Sequence, residues 1–405
     1  KIQFPVRRKS QAFAVRSSLA DEREGGLIKL GVPLLATPDH GGTYQYSLSM
    51  LEALRHAHGY QITLYADPSN QDIARLGYPI RHFLEPRAKQ ITYLAAHAMG
   101  LRLQDPFSSE DILIAPIYSL ALLHTAKPFA YTLHDLQEFH FPENFSWIQK
   151  KWRSSIHGRL SRNATAVICE SEYVKSDILR IFDLPNEKVV VMAAPPLRQA
   201  LDDVGLAELE KVRGRLGLSD RFVFYPAQFW PHKNHLRLID AFKQVAAEVP
   251  DLKLVLTGKE RDEYDVAMRA IKEAGLEKNI QHLGYIEQAD LQAIYYLAEA
   301  LVMPSLFESV SIPIYEAFQA GTPVVASGVL SIPEQVGEAG LLFDPYSSAS
   351  IAEGILKIVK NPELAKILGK LGRDKMALMT PKHYCGQLQK LCGMLSKGEG
   401  LLKPG

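Results

Sequence analysis

The stretch "LIKLGVPLLATPDHGGTYQYSLSMLEALRHAHGYQITLYA" (residues 27–66) contains an apolar run, a glycine turn, a helical pattern and a second apolar run, in that order. The two apolar runs, residues 27–36 and 61–66, have the length and composition of buried strands. Residues 43–58, which lie between them, repeat apolar side chains at helical spacing. A strand, a helix and a strand in succession form a crossover between parallel strands. The stretch therefore predicts an α/β domain with a parallel sheet.

The same alternation continues along the first half and restarts in the second. Pro195-Pro196 ends the first series and a polar segment follows, which indicates a hinge between two domains. Strand–helix alternation on both sides of the hinge predicts two doubly wound, Rossmann-like domains. We place the boundaries as follows: a flexible N-terminal arm over 1–26, a first domain over 27–199, a second domain over 200–379, and a C-terminal helix and tail over 380–405. A trimmed targeting segment is the alternative for the basic N-terminus.

Composition excludes several classes of function. With 46 Lys+Arg against 45 Asp+Glu the net charge is only +1, which argues against a nucleic-acid-binding protein. No apolar run approaches the length of a membrane-spanning helix. Cys169, Cys385 and Cys392 are too few and too scattered for a disulfide framework or a zinc site. We therefore expect a cytoplasmic protein.

Ligands of open parallel sheets bind at the carboxyl ends of the strands, so the residues there are the candidates for a site. In the first half, Gly41 and Gly42 precede a helix whose free amides could face an anion. A tight turn that needs a positive φ angle is the alternative reason for these glycines. His134 lies at the end of another strand, with Asp135 after it. The alternative there is a helix cap by Asp135 with His134 as a spacer.

The segment "ALVMPSLFESVSIPIYEAFQAGTPVVAS" (residues 300–327) carries the strongest chemical signal. Its first strand ends at a proline, a loop carries Glu308, and Glu316 lies in the opening turns of the helix that follows. A carboxylate has two acceptor oxygens and can take both hydroxyls of a sugar diol, although an acidic residue near a helix start is also favoured by the helix dipole. Free amides at Val310, Ser311 and Ile312 could bind a phosphate.

Together these residues resemble a known family. Glu308 and Glu316, followed by "GTPVVAS" (321–327) and "PEQVGEAGLLFDP" (333–345), are similar to the donor-site signature of retaining glycosyltransferases of family 4. The resemblance extends from "GVPLLATPDHGGTYQYS" (31–47) almost to the end of the chain. It implies the GT-B fold, in which two Rossmann-like domains face each other across a cleft and the last helix returns to the first domain.

The stretch "YPAQFWPHKNH" (225–235) shows one departure from the family pattern. The resemblance implies an Arg and, five residues later, a Lys on the diphosphate of the donor. Lys233 is at the Lys position, but Gln228 stands where Arg is usual and supplies no charge. Positive charge at this place opposes the negative charge that grows on the leaving diphosphate. Its replacement therefore comes from His232, His235 or Arg237, or from the helix amides.

The resemblance also implies roles for the other residues at the strand ends. Glu308 would bind the hydroxyls of the transferred sugar, Glu316 those of the ribose, and His134 would lie near the reacting sugar. Gly42 would let the phosphates approach the first domain. The remaining donor-binding candidates are Gly41, Gly258, Tyr285, Ser309, Val310, Ser311 and Ile312, with serines at 309 and 311 in place of the usual glycines.

We therefore expect a hexosyltransferase whose co-substrate is a nucleotide sugar linked to GDP or UDP. The "WPHKN" segment (230–234) is similar to that of bacterial surface-polysaccharide mannosyltransferases, which favours GDP-mannose. We expect no cofactor, and no metal because no acidic cluster offers the oxygen ligands of magnesium. One alternative is a GT-B phosphorylase or epimerase. The other is a catalytically silent sugar-binding protein, which is favoured by the absence of a positive charge at Gln228.

Residues 146–162, "SWIQKKWRSSIHGRLSR", contain five basic residues and no acid. Their apolar side chains recur at three- to four-residue intervals, which predicts an amphipathic helix. Such a helix could contact an anionic membrane, which would suit a glycan or lipid-linked acceptor. The alternative is an ordinary helix that packs on the core and exposes a basic side.

Overall fold

The computed structural model describes residues 26–197 and 205–398. In the first of these ranges, seven strands form a parallel sheet with the order β3-β2-β1-β4-β5-β6-β7. The strands are β1 (Ile28–Pro33), β2 (Tyr60–Ala66), β3 (Ile80–His82), β4 (Ile112–Ala115), β5 (Phe129–Thr132), β6 (Ala166–Cys169) and β7 (Val189–Val191).

In the second range, six strands form another parallel sheet with the order β10-β9-β8-β11-β12-β13. These are β8 (Phe222–Pro226), β9 (Lys253–Thr257), β10 (Ile280–His282), β11 (Ala300–Met303), β12 (Val324–Ser327) and β13 (Gly340–Phe343). Two parallel sheets confirm the predicted α/β fold with two Rossmann-like domains. In each sheet the strand order reverses beside the first strand of the domain, β1 or β8, and this reversal opens a crevice at the carboxyl ends.

Helices connect the strands and cover both faces of each sheet. Those of the first domain are α1 (Gly42–Leu54), α2 (Gln71–Ala74), α3 (Arg87–Ala98), α4 (Gln137–His140), α5 (Trp147–Asn163) and α6 (Glu172–Phe182). The others are α7 (Leu206–Leu216), α8 (His235–Glu248), α9 (Tyr264–Glu273), α10 (Gln288–Leu297), α11 (Ile312–Ala320), α12 (Ile332–Val336), α13 (Ser348–Val359), α14 (Pro362–Leu378) and α15 (Pro381–Lys397).

The central strands are apolar along their whole length because helices cover both of their faces. All four residues of β4 and of β11 are buried, for example. Burying one aliphatic side chain of this kind contributes about 1.5–3 kcal/mol to folding. Continuous apolar runs are typical of parallel strands, and they explain why these strands could be predicted from the sequence.

The last helix, α15, packs on the first domain. Its apolar side, including Tyr384, Leu388 and Leu395, joins the buried cluster that contains residues of β1, β2 and α1. The hydroxyl of Tyr384 lies 3.0 Å from that of Tyr46 in α1. The chain thus crosses from the second domain back to the first. The predicted arm, except residue 26, and the domain boundary near residue 200 lie outside the described residues.

A second contact between the domains involves a helix N-terminus. Glu334 of α12 accepts hydrogen bonds from the backbone amides of Glu172 (3.0 Å) and Tyr173 (3.4 Å) at the start of α6. Those amides have no partner within their own helix, and the helix dipole favours a negative charge there. A residue of the second domain therefore caps a helix of the first.

Candidate active site

The strand ends of both domains line one cleft, with a cavity of about 400 Å³. From the first domain come the loops after β1, β5 and β6, and from the second those after β8, β9, β10 and β11. Apart from the charge candidates His232, His235 and Arg237, every site residue predicted from the sequence lines this cavity: Gly41, Gly42, His134, Gln228, Lys233, Gly258, Tyr285, Glu308, Ser309, Val310, Ser311, Ile312 and Glu316. Residues that are remote in sequence are therefore brought together.

Lys233 and Glu308 form an ion pair in the cleft, with 2.5 Å between Lys233 Nζ and Glu308 Oε1. Their side chains are only 19% and 12% exposed, so the attraction is weakly screened by water. Lys233 ends a short 3-10 turn, and the next residue, Asn234, has a positive φ of 63°. The amide of Asn234 donates to the carbonyls of Pro304 and Pro345, which fixes this turn below the cleft.

The loop that carries Glu308 is held from below by α12. Ser331 Oγ donates to the carbonyl oxygens of Glu308 and Ser309. Gln335 accepts a hydrogen bond from the Ser311 amide at 2.9 Å and donates one to the Ser311 carbonyl at 2.6 Å. The expectation of a free amide at Ser311 is therefore wrong, because the Gln335 side chain occupies it. The sequence analysis missed both residues: Gln335 lies in a segment that served only to identify the family resemblance, and Ser331 lies just before that segment.

Glu316 lies in α11 and is oriented by a tyrosine of the neighbouring helix. The hydroxyl of Tyr295 in α10 donates to Glu316 Oε2 at 2.7 Å. The Tyr295 ring is almost fully buried, so its hydroxyl has little freedom to move. The carboxylate is therefore fixed at the wall of the cleft before any ligand arrives. In the sequence, Tyr295 occupies one apolar position of a helical pattern, and no neighbouring residue indicates that it binds Glu316.

Both ring nitrogens of His134 have partners. Nδ1 lies 2.9 Å from Glu170 Oε2, and Nε2 lies 2.9 Å from the Pro116 carbonyl, to which it can only donate. Burial lowers the pKa of His134, but the hydrogen bond and negative charge of Glu170, with the Pro116 carbonyl, outweigh it and raise the pKa overall. The imidazole is therefore fixed in orientation, and Glu170 favours its charged form. Glu170 was missed, although it directly follows β6 at the same sheet edge.

Three glycines of the cleft differ in their roles: a positive φ at Gly41, an approach to the second domain at Gly42, and close packing within the second domain at Gly258. Gly41 has a φ of 55°, and a Cβ on Gly42 would lie 3.4 Å from the Ile312 side chain of the second domain. A Cβ on Gly258 would lie 2.4 Å from the Ala227 carbonyl oxygen, which no real side chain tolerates. Gly258 is thus needed for packing against the Gln228 loop. Tyr285 lies at the mouth of the cleft and is 74% exposed.

The segment 146–162 forms α5, which begins at Trp147 with Ser146 as its cap. Ile156 and Leu160 are buried in the first-domain core, so the second half of the helix has the ordinary, core-packed role. Trp147 and Ile148 are each 67% exposed. Residues of α3 and of the loop before it are also exposed, and we name the following set, in which Lys150 is half-buried, the α3–α5 surface: Leu84, Arg87, Ile91, Trp147, Ile148, Lys150 and Lys151.

Within the described ranges, no group of three or more His, Cys, Asp or Glu side chains is arranged to bind a metal ion. None of the helices described is both long and apolar enough to cross a membrane. Cys169, Cys385 and Cys392 are all buried thiols without a disulfide.

Two family models match the chain, one on each side of the cleft. The model of glycosyltransferase family 4 matches residues 40–193, and the model of glycosyl transferases group 1 matches residues 208–375. The two matched segments contain nearly all of the strands and most of the cleft residues.

Relatives and solved structures are similar to the chain over most of its length. O-antigen chain mannosyltransferase B of Escherichia coli is 30% identical over 251 residues, which is 61% of this chain and 65% of that protein. O-antigen chain mannosyltransferase RfbU of Salmonella typhimurium is 24% identical over 80% of this chain and 88% of its own. The chain thus spans just under two thirds of the first relative and most of the second.

The crystal structure of Anabaena Alr3699/HepE in complex with UDP and glucose has the same fold. It superposes with a TM-score of 0.72 at 20% identity and covers 90% of this chain and 99% of that one. With a family model matched on each side of the cleft and two parallel sheets that face it, the chain belongs to the family 4 glycosyltransferases of the GT-B fold.

Proposed function

We propose that the protein is a retaining glycosyltransferase that moves mannose from GDP-mannose to a glycan or lipid-linked acceptor. The observation that carries the proposal is the Lys233–Glu308 pair, whose atoms meet at 2.5 Å inside the cleft. In the proposed reaction the cation binds the diphosphate and the carboxylate binds the hydroxyls of the sugar. The pair places these two groups side by side, as the donor does with its diphosphate and sugar. Glu316, fixed by Tyr295, adds a second carboxylate for the ribose hydroxyls.

The chemistry follows from where charge develops. In the proposed step the bond between the sugar C1 and the diphosphate oxygen breaks, and the acceptor oxygen bonds to C1 from the same face. The acceptor proton passes to the leaving phosphate, so no side-chain nucleophile is needed. Negative charge grows on the diphosphate, and Lys233 opposes it. Because its turn is already fixed, this stabilisation requires little rearrangement.

The identity of the sugar and of the base is supported by different observations. Two relatives are named mannosyltransferases of the O-antigen chain, which favours mannose and a polysaccharide or lipid-linked acceptor. A structural neighbour was solved with UDP and glucose, which favours a UDP sugar instead. The sequence relatives carry more weight because the likeness to the neighbour is one of fold.

A binding screen followed by a transfer assay tests the proposal. Calorimetric titrations with GDP, UDP, GDP-mannose and UDP-glucose should give saturable binding for the GDP pair. Incubation with GDP-mannose and a lipid-linked acceptor should yield an α-mannoside by NMR, since the donor is an α-anomer and the configuration is kept. A β-mannoside would contradict retention, and preferential binding of UDP would reassign the donor. Binding without transfer or hydrolysis would favour the silent sugar-binding protein.

We propose further that the α3–α5 surface docks on the inner face of an anionic membrane. Its exposed Trp147 and Ile148 suit the interface, and Lys150 and Lys151 lie beside them on the same helix turn. The Arg87 guanidinium lies 3.8 Å from the Trp152 ring centre and joins α3 to this region. Each basic residue near an anionic leaflet contributes about 1 kcal/mol. Docking would bring the cleft to a lipid-linked acceptor and place the protein at the cytoplasmic side.

Vesicle flotation tests this second proposal. Wild type should float with phosphatidylserine vesicles at low salt and remain behind with neutral vesicles. The double variants Trp147→Ser/Ile148→Ser and Lys150→Glu/Lys151→Glu should both lose flotation. Lys357→Glu/Lys366→Glu, on exposed positions of the second domain, is the matched charge control. The proposal of membrane docking would be contradicted if wild type did not float, or if the control variant lost flotation as much as the two double variants.

A further inference from the structure

Gln228 leaves the donor site without the second cation that a diphosphate requires, and the histidines nearby do not replace it. Burial is the main reason why the pKa of His232 falls to about 4 and that of His235 to about 3. Both imidazoles are therefore neutral near pH 7. The ring of His235 is also stacked on Phe229 at 4.1 Å between centres, in the protein interior.

Arg237 does not replace the charge either. Its guanidinium donates to Asn234 Oδ1 at 3.1 Å and to the Pro345 carbonyl at 3.3 Å, and it lies over the ring of Tyr346. None of these contacts is in the cleft, and Arg237 does not line the cavity. The three side chains that the sequence suggested are thus excluded, His232 and His235 by burial and Arg237 by its direction, which leaves the helix amides as the remaining suggestion.

Lys259, which the sequence did not suggest, lies beside Gln228 and lines the cavity. It follows Gly258 on the loop after β9, and the Phe229 amide donates to its carbonyl at 3.3 Å. A Cβ on Gly258 would come within 2.9 Å of the Gln228 amide nitrogen, so the two loops are in direct contact. The side chain of Lys259 therefore starts from the same edge of the cleft as that of Gln228.

The ammonium group of Lys259 has only a weak ion pair. Nζ lies 3.7 Å from Asp39 Oδ1, which belongs to the loop before Gly41 on the opposite wall. The Asp39 side chain is 90% exposed, and an ion pair of this kind contributes little. Nζ also lies 5.5 Å from the ring centre of Tyr285 at the mouth of the cleft. An anion that binds in the cleft can therefore replace Asp39 as the partner of Lys259 with little loss of binding free energy.

Gln228 itself is oriented as a donor. Its Oε1 accepts hydrogen bonds from Arg261 Nε at 2.9 Å and from Trp230 Nε1 at 3.3 Å. With the oxygen occupied, the NH2 group is the end that is left for a ligand. Arg261 thus acts as a positioning residue, and a hydrogen bond from Gln228 would accompany a charge from Lys259.

We infer, on the basis of the proposed function, that Lys259 supplies the second positive charge of the diphosphate site. Family members carry this charge on an arginine at the position of Gln228. In this chain Lys259, on the neighbouring loop, carries it instead. Lys233 and Lys259 would bind the diphosphate from the second domain, and Asp39 would be released from Lys259 when the donor binds.

Binding by the variant Lys259→Gln tests the inference. Calorimetric titrations use GDP and UDP, with guanosine and uridine as ligands that lack the diphosphate. For the diphosphate that wild type binds, Lys259→Gln should lower affinity roughly ten- to a hundredfold, as expected for a charge-assisted hydrogen bond. Affinity for the nucleoside should not change. Lys243→Gln, an exposed lysine on α8, is the matched control and should bind like wild type.

Two further variants separate a charge on the diphosphate from a contact between domains. Gln228→Arg in the Lys259→Gln background should regain most of the affinity for the diphosphate. Asp39→Asn should bind the diphosphate as well as wild type or better, because it removes the competitor of the ligand. Equal losses in Asp39→Asn and Lys259→Gln, or no rescue by Gln228→Arg, would overturn the inference.

The inference and the proposed function can fail separately. If wild type binds no nucleoside diphosphate, the proposed function is wrong and the inference falls with it. If wild type binds one and Lys259→Gln binds it equally well, only the inference is wrong.

Discussion

Lys233 and Glu308 form an ion pair in the cleft, so each would compete with the ligand proposed for the other. Under the proposed function, nucleoside diphosphate would share Lys233 with Glu308, and the sugar would share Glu308 with Lys233. The pair keeps both charges compensated at low exposure, where an isolated charge would be costly. Removal of Glu308 should therefore affect the product and the donor in opposite directions, whereas removal of Lys233 should weaken the binding of both.

Glu308→Gln should tighten the binding of the free nucleoside diphosphate, because Lys233 loses its competitor. The same variant should lower turnover of the nucleotide sugar, because the sugar loses a charged partner. Lys233→Gln should instead weaken both ligands and lower kcat by roughly 10²–10³. Calorimetry and initial-rate kinetics measure the two effects. Glu353→Gln on α13 is the control, and weaker diphosphate binding in Glu308→Gln would contradict the competition.

The pairing of His134 with Glu170 should make stability depend on pH. The pKa of His134 is raised in the folded protein, so its contribution is fully present below the ordinary pKa of about 6.5 and is lost as pH rises through the folded value. The loss is about 1.4 kcal/mol for each unit of the rise. Denaturant unfolding of wild type and Glu170→Gln from pH 5.5 to 9 measures it. The difference between them should shrink with pH, and a constant difference would exclude the imidazolium.

Residues in the loops after predicted strands could be found from the sequence, since parallel strands end at one edge of the sheet. His134, Glu308 and Lys233 are of this kind. Their partners are harder to find: Glu170 also follows a strand, but nothing in the sequence pairs it with His134, and Tyr295 lies in a helix that only the folded chain brings to Glu316. Lys259 was missed for another reason: the expected cation was sought within the segment that had lost it.

At the scale of elements, α12 supports the loop that carries Glu308. This short helix contributes no side chain to the cavity, yet its Ser331 and Gln335 bind the backbone of the loop between β11 and α11. Loops of this type need such bonds because their polar backbone groups have no partner in a sheet or helix.

Gln335→Leu should leave the Ser311 amide without a partner at a buried site and reduce the partners of the Ser311 carbonyl to the Ile314 amide. Each unsatisfied group costs about 1–3 kcal/mol, so unfolding by denaturant should occur at lower concentration. KM for the nucleotide sugar should rise because the loop is no longer fixed, and Gln335→Glu, which keeps the acceptor for the amide, should rescue it partly. Unchanged KM in a destabilised Gln335→Leu would show that the loop keeps its shape without this helix.

Most elements could be predicted, and the exceptions are edge strands. β3 has the sequence Ile80-Arg81-His82 and is largely exposed. It therefore lacks the apolar run by which the other strands could be predicted. β13 begins with Gly340 and is also half-exposed. Edge strands pack on one neighbour only, and their sequences are less constrained by burial. Only the structure identifies the two strands, by the pairing of β3 with β2 and of β13 with β12.

At the scale of the molecule, two contacts tie the domains together away from the substrates. One is α15, which starts after the second domain and completes the core of the first. The other is Glu334, which caps α6 from across the boundary. The first is apolar and extensive, so it suits a permanent joint. The second consists of hydrogen bonds exposed to water, which can break and re-form as the cleft opens and closes.

Glu334→Ala should therefore shift the free protein toward wider opening without unfolding it. The loss of a cap on α6 costs roughly 0.5–1 kcal/mol at this exposed position, which is small for stability but enough to change the balance of open and closed forms several-fold. Small-angle X-ray scattering should show a larger radius of gyration than in wild type, and saturating nucleotide should reduce the difference. Glu338→Ala, an exposed residue of the same segment, is the control. Scattering curves that superimpose with and without Glu334 would mean that α15 and the cleft walls alone determine the domain arrangement.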